Sequence, residues 1–222
     1  MDTPFNILRR VSGPYYLNTY FLTCRETGDT LIIDPGDTAR TLVEYARHHH
    51  LTPVMVLVTH GHVDTAFAMD EFRKTFDVPY AIHGDDADFF TDPQVRKQTE
   101  LAVGLPPPPP EDQRLKHGEF IHFGDCRVQV IHTPGHTPGS VCLKAREYLF
   151  TGDTLFVGEA GRTDLPGGDL DRLIASIRDR LLKLPPYTIL LPGHHHPNTP
   201  ARSTLAREME ENIYITDFIL DP

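Results

Sequence analysis

The sequence contains few cysteines and no long apolar run, and each absence excludes a class of protein. The three cysteines, Cys24, Cys126 and Cys142, are scattered and form no CxxC pair, which indicates reduced thiols rather than a disulfide framework. No apolar stretch approaches the roughly 20 residues that a membrane-spanning helix needs. The first ten residues, MDTPFNILRR, lack the apolar core of a secretory signal. We therefore expect a cytoplasmic protein with no membrane partner.

Basic residues are scarce relative to acidic ones. Lys and Arg number 21 against 31 Asp and Glu, for a formal net charge of −10. Nucleic-acid phosphates are bound by clustered Lys and Arg, and the chain has no basic run, so the composition argues against a nucleic-acid partner. The 222 residues are 39% hydrophobic, which is enough for a substantial core. Because no linker divides them, we expect a single domain over residues 1–222.

Turn residues divide the chain into short strands and a few helices. Short apolar runs predict strands over 16–23, 30–33, 53–58, 79–82, 120–123, 127–131, 140–144, 148–151 and 187–191. Apolar residues at helical spacing predict helices over 38–49, 64–76 and 169–182, and a last helix that begins near Thr199. Asp169 is the expected N-cap of the third helix, whose apolar stripe begins at Leu170. The stretch 91–117, with its proline run Pro106–Pro110, is predicted to be an irregular surface connector.

Histidine, in contrast, is abundant, and its placement points to metal chemistry. Many of the 13 histidines stand beside Gly, Pro, Asp or Thr rather than in periodic apolar segments. Four predicted strands end in turns that bear His or Asp, and strand ends hold such side chains rigidly. Imidazole and carboxylate groups are ligands that suit zinc, iron or manganese. The candidate ligands in these turns are His60, His62, Asp64, His136, Asp153 and His194.

The first of these turns places two imidazoles where both can bind one metal. His60 and His62 are separated by one residue, and on an extended segment alternate side chains point to the same face. Asp64 opens the following predicted helix, where the helix N-terminus favours an ionised carboxylate that is competent to bind a metal. The spacing therefore predicts that these three side chains converge.

The four turns together resemble the motifs of metallo-β-lactamase-fold hydrolases, in particular the single-domain branch similar to glyoxalase II. The matching segments are THGHVD (59–64), HTPGHTPGS (132–140), FTGDTLFVGEAGRTDLPGGD (150–169), LPGH (191–194) and TLAREMEEN (204–212). The resemblance implies an α+β fold, a four-layer αβ/βα sandwich with the metals at one edge of the sheets.

The resemblance also implies a division of the ligands between two metals. One metal is held by the residues that match His60, His62 and His136, and Asp153 bridges to the second. The second metal also takes Asp64, His194 and, in the family, a histidine directly after the aspartate.

The sequence departs from the family at that last position, where it has Thr65. A hydroxyl is a poor zinc ligand beside imidazole. We therefore expect one tightly bound metal, zinc or alternatively iron, and a weak or empty second site. His195 or His196 is an open alternative as the missing ligand.

The leading functional hypothesis is hydrolysis of a small-molecule substrate. A metal that lowers the pKa of a bound water to about 7 gives hydroxide at neutral pH, with Asp64 and Asp153 as the catalytic carboxylates. The resemblance implies a thioester such as an acyl-glutathione, or a related ester. Two alternatives remain: a mononuclear iron persulfide dioxygenase that uses His60, His136 and Asp153, and a metal-binding relative without catalysis, which Thr65 motivates. No sequence feature identifies the substrate-binding residues or an oligomeric state.

Overall fold

In the computed structural model, which describes residues 3–13, 15–36, 38–66, 68–103 and 110–220, twelve strands form two sheets of six. The first sheet has the order β1-β2-β3-β4-β5-β6 and the second the order β12-β11-β10-β9-β8-β7. The strands of the first sheet are β1 (Phe5–Ser12), β2 (Leu17–Cys24), β3 (Asp29–Ile33), β4 (Thr52–Leu57), β5 (Tyr80–His83) and β6 (Gln113–Leu115). Those of the second are β7 (Phe120–Phe123), β8 (Cys126–His132), β9 (Val141–Ala145), β10 (Tyr148–Gly152), β11 (Ile189–Pro192) and β12 (Ser203–Thr204).

The helices cover the two outer faces of the sheets. They are α1 (Ala39–His48), α2 (Val63–Ala66), α3 (Met69–Phe76), α4 (Gly84–Thr91), α5 (Pro93–Val103), α6 (Leu170–Ser176), α7 (Leu205–Glu211) and α8 (Ile213–Ile215). Helix α6 continues as a π-helical turn over Ile177–Leu181, and α8 as another over Thr216–Leu220. None of the helices in the described ranges is long and apolar enough to cross a membrane.

Three apolar layers produce the order helix, sheet, sheet, helix. In β3, Leu31 and Ile33 pack between the sheets while Ile32 faces α1 and α3, because successive side chains of a strand point to opposite faces. Both faces are apolar, as expected for a sheet that is covered on both sides. On the far side, Leu173 of α6 and Leu205 of α7 pack against the second sheet. The predicted four-layer α+β sandwich is confirmed.

Strand direction brings the important turns to one edge of the sandwich. Strands β3, β4 and β5 are parallel, so their carboxyl ends meet at the same edge. In the second sheet β10 and β11 are parallel, and β8 runs in the same direction because β9 is antiparallel to both β8 and β10. A backbone hydrogen bond of 2.8 Å from Val141 N to Thr59 O joins the two sheets at this edge.

Some sequence-predicted elements differ from the structure. The helix predicted over 64–76 is two helices in the structure: α2 ends at Ala66 and α3 begins at Met69. The final helix begins at Leu205 rather than near Thr199, and Thr204 caps it by accepting a hydrogen bond from Arg207 N. Asp169 is the N-cap of α6 as predicted, but Leu170 is 44% exposed rather than buried.

The prediction of an irregular connector over 91–117 was wrong in part. Helix α5 and strand β6 lie within it, and the helix begins at Pro93, where proline is tolerated in the first turn. The residues 106–109 of the proline run fall outside the described ranges. Strand β1, which the sequence patterns did not predict, pairs with β2 along its whole length.

Phe150 tests the packing between the sheets. Its side chain is 1% exposed and makes an edge contact with Tyr20, with 5.1 Å between ring centroids. We expect Phe150→Ala to lower the free energy of unfolding by about 3–5 kcal/mol, since the cavity cannot close fully. Urea denaturation followed by circular dichroism measures this change. The control Tyr187→Ala removes a side chain that is 69% exposed and should stay within about 0.5 kcal/mol of the wild type; equal losses would contradict the assignment of Phe150 to the core.

Candidate metal centre

The six sequence-predicted ligands converge at the edge where these strands end. His60 follows β4, His136 follows β8, Asp153 follows β10 and His194 follows β11, while Asp64 lies in α2. His60 and His136 are buried, and His62, Asp64 and His194 are partly exposed. The site is therefore an edge pocket with an inner, buried half and an outer, accessible half.

Three imidazoles form the inner half. His60, His62 and His136 each present a ligand atom, and these atoms lie within 4.8 Å of one another. The three pairs of ring centroids are 4.9, 4.7 and 4.6 Å apart. Burial, followed by the neighbouring His136, lowers the pKa of His62 to about 3. Neutral imidazole is the form that binds a metal.

Hydrogen bonds to the Nδ1 atoms fix which nitrogen faces the pocket. His136 Nδ1 donates to the carbonyl oxygen of Arg162 at 2.7 Å, and His194 Nδ1 donates to that of Tyr15 at 2.8 Å. A carbonyl oxygen can only accept, so both Nδ1 atoms carry the proton and both Nε2 atoms keep a free lone pair when the ring is neutral.

His60 is oriented by a relay of two hydrogen bonds. Thr59 Oγ1 donates to Asp34 Oδ2 at 2.8 Å, so it accepts from His60 Nδ1 at 3.2 Å. Asp34 Oδ1 also accepts from Thr59 N at 2.7 Å. Burial raises the pKa of the Asp34 carboxyl to about 7, although its bonds with Thr59 lower it. Asp34 thus holds the residue that precedes the first ligand by both backbone and side chain.

Asp153 lies between the inner and outer halves. Its Oδ2 is 3.9 Å from His60 Nε2, 3.5 Å from His136 Nε2 and 3.4 Å from His194 Nε2. Burial acts to raise the pKa of Asp153, but the facing histidines, His194 first, hold it well below its usual range. The carboxylate is therefore ionised at any working pH and is placed to bridge two positions.

Several polar atoms at this junction have no hydrogen-bond partner among the described residues. They are His60 Nε2, His136 Nε2 and Asp153 Oδ1, all buried. Buried polar atoms without partners are rare because each costs free energy. His60 Nε2 and His136 Nε2 both face Asp153 Oδ2, at 3.9 and 3.5 Å. Two nitrogen lone pairs beside a carboxylate fit a divalent cation such as zinc, so the donor set matches the metal that the sequence motifs imply.

The outer half is a pair formed by His194 and Asp64. His194 Nε2 is 3.5 Å from Asp64 Oδ2. Burial acts to lower the pKa of His194, but Asp153 and then Asp64 outweigh it and raise that pKa to about 10. Burial and the charge of Asp153 raise the pKa of Asp64. The His194 imidazole thus lies against both carboxylates, 3.5 Å from Asp64 Oδ2 and 3.4 Å from Asp153 Oδ2.

Thr65 does not point its hydroxyl into the outer half. Its side chain is fully buried, and Oγ1 lies 3.0 Å from His60 O and 2.8 Å from His62 O, to which it donates. The hydroxyl therefore ties the backbone of the His60–His62 turn to helix α2. The outer half keeps only Asp64, His194 and the shared Asp153.

His195 and His196, the alternatives for the missing ligand, directly follow His194. His195 N donates to Tyr16 O at 2.8 Å. Within the described ranges, no ion pair joins His195 or His196 to Asp64 or Asp153, whereas His194 contacts both carboxylates.

Asp86 is a buried carboxylate of the site that sequence reasoning missed. It is 0% exposed in the first turn of α4. Its Oδ2 accepts from Gly61 N and from Thr137 Oγ1, both at 2.7 Å, and its Oδ1 accepts from Gly139 N at 2.5 Å. Burial raises its pKa to about 6 against the opposing effect of these three donors. One side chain thus joins the turn that carries His60 and His62 to the turn that carries His136.

A usable signal for Asp86 was present in the sequence. Strand β5, which ends at His83, is parallel to the strand before His60, so the residues after both strands lie at the same edge. An acidic residue in the first helical turn after such a strand can therefore accept hydrogen bonds from the backbone N–H groups of the neighbouring turns. Asp34, after β3, carries the same signal.

Asp86→Asn tests this bridging role. The amide group must present its NH₂ either to Gly139 N–H or to Gly61 N–H, so one donor faces another. We expect metal affinity to fall by about 10–100-fold, the usual cost of removing a group that orients metal ligands. Competition with a chromophoric zinc chelator measures the affinity.

The matched control is Asp88→Asn, in the same helix. Asp88 has an exposed side chain that pairs with Arg114, so its replacement should leave zinc affinity unchanged. An Asp86→Asn protein that binds zinc as tightly as the Asp88→Asn protein would refute the role.

Comparison with known proteins agrees with this geometry. Residues 12–194 match the Metallo-beta-lactamase superfamily. The chain is 33% identical over 210 residues to the probable metallo-hydrolase YqgX of Bacillus subtilis, covering 94% of this chain and 96% of that protein. It is 34% identical over 190 residues to the hydroxyacylglutathione hydrolase GloC of Haemophilus influenzae, covering 83% and 86%.

A solved structure resembles this chain in both fold and sequence. The BLEG-1 B3 metallo-beta-lactamase superposes with a TM-score of 0.85 at 34% identity, covering 95% of this chain and 100% of the other. With the histidine and aspartate turns assembled at one edge of an αβ/βα sandwich, the chain belongs to the metallo-β-lactamase superfamily.

Proposed function

We propose that this protein hydrolyses thioesters with one tightly held metal, bound by His60, His62, His136 and Asp153. The observation that carries the proposal is the arrangement of His60 Nε2 and His136 Nε2, both buried and without a hydrogen-bond partner among the described residues, around Asp153 Oδ2 at 3.9 and 3.5 Å. A divalent metal there would lower the pKa of a coordinated water to about 7 and polarise a carbonyl oxygen.

Asp64 is the residue best placed to handle a proton. It is partly exposed, and its Oδ2 faces His194 Nε2 at 3.5 Å. Burial and Asp153 raise its pKa, which makes the carboxylate a better proton acceptor than an ordinary aspartate. We assign to Asp64 the orientation of the attacking water and the acceptance of its proton at Oδ2. Asp153, with its depressed pKa, stays ionised and positions the histidines.

A small cavity next to His194 suits a short acyl group. It has a volume of about 110 Å³, and its walls include Tyr15, Tyr16, Phe156 and Val157. Sites for drug-sized ligands occupy roughly 300–1,000 Å³, so this cavity accepts only part of a substrate. In the proposed arrangement the acyl chain enters the cavity and the thiol half lies outside it.

The choice of thioester rests on similarity. A relative with 34% identity is named a hydroxyacylglutathione hydrolase, and its name describes a hydroxyl-bearing acyl group on glutathione. That chemistry agrees with the volume and aromatic walls of the cavity.

The test compares thioesters that share one thiol and differ in acyl length. With zinc-loaded protein we expect turnover of lactoyl-glutathione and acetyl-glutathione, and a kcat/KM lower by at least about tenfold for an octanoyl thioester, since steric exclusion of a chain costs about 1.4 kcal/mol or more. Release of free thiol measures the rate. Absence of turnover for all three substrates by protein with bound metal would reject the proposal in favour of a non-catalytic relative.

Metal content is measured on the same preparation after dialysis. We expect about one equivalent of zinc. His136→Ala should lower both metal affinity and activity by at least about 100-fold, because loss of a ligand costs more than loss of a residue that only orients a ligand. His122 is exposed on β7, so His122→Ala is the matched control and should change neither. Retention of activity by His136→Ala would contradict the ligand assignment. One equivalent of iron instead would direct the assays to oxygen uptake with persulfides.

Thr65→His tests the outer half of the centre. The substitution restores an imidazole beside Asp64 and His194, so we expect the metal retained after dialysis to rise from about one to about two equivalents, with four ligands complete at the second position. Thr65→Ser keeps the hydrogen bonds to His60 O and His62 O and should retain about one equivalent. Two equivalents in the unchanged protein would show that Thr65 does not limit the second position.

A further inference from the structure

A second cavity lies away from the metal centre, at the open side of the sandwich. It has a volume of about 460 Å³ and lies between β1, the edge strand of the first sheet, and the β10–β12 side of the second sheet. Phe5, Tyr20 and Tyr148 form an aromatic wall, and three arginines, Arg9, Arg25 and Arg202, also line it. No feature of the metal centre requires these arginines. We call this space the arginine cleft.

Arg9 points into the gap between the sheets. It shares a face of β1 with Phe5 and Ile7, which pack into the apolar layer between the sheets, because alternate residues of a strand face the same way. Its Nη1 is buried and has no hydrogen-bond partner within the described ranges. A buried guanidinium nitrogen without an acceptor costs free energy, so the position favours an anion that would supply one.

Arg25 and Arg202 stand at the mouth of the cleft. Arg25 directly follows β2 and Arg202 directly precedes β12, and both are exposed. The lining residues that the structure describes include no Asp or Glu, and the ion pairs between described residues do not involve any of the three arginines. Other arginines of the chain do pair with carboxylates, as Arg114 does with Asp88 and Glu111.

The local charge is opposite to that of the whole chain. Three arginines line one cleft of a protein whose net charge is −10. Such a concentration raises the local density of anions. Guanidinium forks match the oxygens of phosphate in a bidentate manner, and the cleft volume falls in the range of about 300–1,000 Å³ that small-molecule sites occupy.

We propose that the arginine cleft is a binding site for a small organic phosphate, whose phosphate group is held by Arg9, Arg25 and Arg202 and whose remainder packs on the aromatic wall. Tyr20 connects this cleft to the metal centre, because its hydroxyl donates to Pro192 O at 2.7 Å and Pro192 precedes the Gly193–His194 turn. The site is independent of the proposed hydrolysis and does not depend on the identity of its substrate.

Isothermal titration of the metal-loaded protein with inorganic pyrophosphate tests the proposal. We expect saturable binding that weakens with added NaCl, and a loss of affinity of at least about tenfold in Arg9→Gln and in Arg202→Gln, the effect of removing one charge-assisted hydrogen bond. Arg178→Gln is the matched control, because Arg178 lies in the helical layer outside the second sheet. This variant should bind pyrophosphate as tightly as the wild type does. Pyrophosphate held by the metal centre would be equal in all four proteins, so only the arginine-dependent part counts.

The competing outcomes are distinct. Arg202 is exposed, so its replacement keeps the test valid even where Arg9→Gln fails to fold. Equal affinity in wild type and Arg202→Gln, or no binding by the wild type at millimolar pyrophosphate, overturns the proposal. Succinate that binds as tightly as pyrophosphate overturns the assignment to phosphate.

Discussion

The cost of burying imidazole nitrogens without hydrogen-bond partners is the constraint on which this edge of the molecule depends. His60 Nε2 and His136 Nε2 face each other and Asp153 in a space closed to water. Such an arrangement is stable only if the surrounding groups prevent the rings from turning away. Each of those groups accepts a hydrogen bond from a different ring: Arg162 O from His136, Tyr15 O from His194 and Thr59 Oγ1 from His60.

Two buried carboxylates outside the ligand set extend this restraint to the backbone. Asp34 holds Thr59 by two hydrogen bonds, and Asp86 joins Gly61 to the turn of Thr137 and Gly139. Their raised pKa values, about 7 and about 6, reflect the free-energy cost of burying a charged carboxylate. The architecture thus stores unfavourable electrostatics at one edge, and the apolar layers between and outside the sheets offset that cost.

The convergence of the six predicted ligands at one edge could be predicted from sequence because it depends on short-range patterns. A strand that ends in a turn bearing His or Asp is visible in residues 59–64 or 151–153, and parallel strands bring such turns together. Asp86 and Asp34 were harder to recognise, because their role depends on which backbone N–H groups face them across the fold. The break between α2 and α3 and the helix α5 were also missed. The apolar spacing predicted one continuous helix over 64–76, and the proline run led to the prediction of a connector over 91–117. The three arginines of the cleft come from residues 9, 25 and 202, so no local run signalled them.

The wide spacing of the ligands along the chain has a consequence for synthesis. The first sheet is complete at Leu115, but the set of ligands is closed only by His194, and the edge strand β12 follows later still. A chain that emerges from the ribosome at about 5–20 residues per second must therefore expose His60 and His62 well before their partners exist. A metal can therefore meet the complete set of predicted ligands only after the chain has been made through His194.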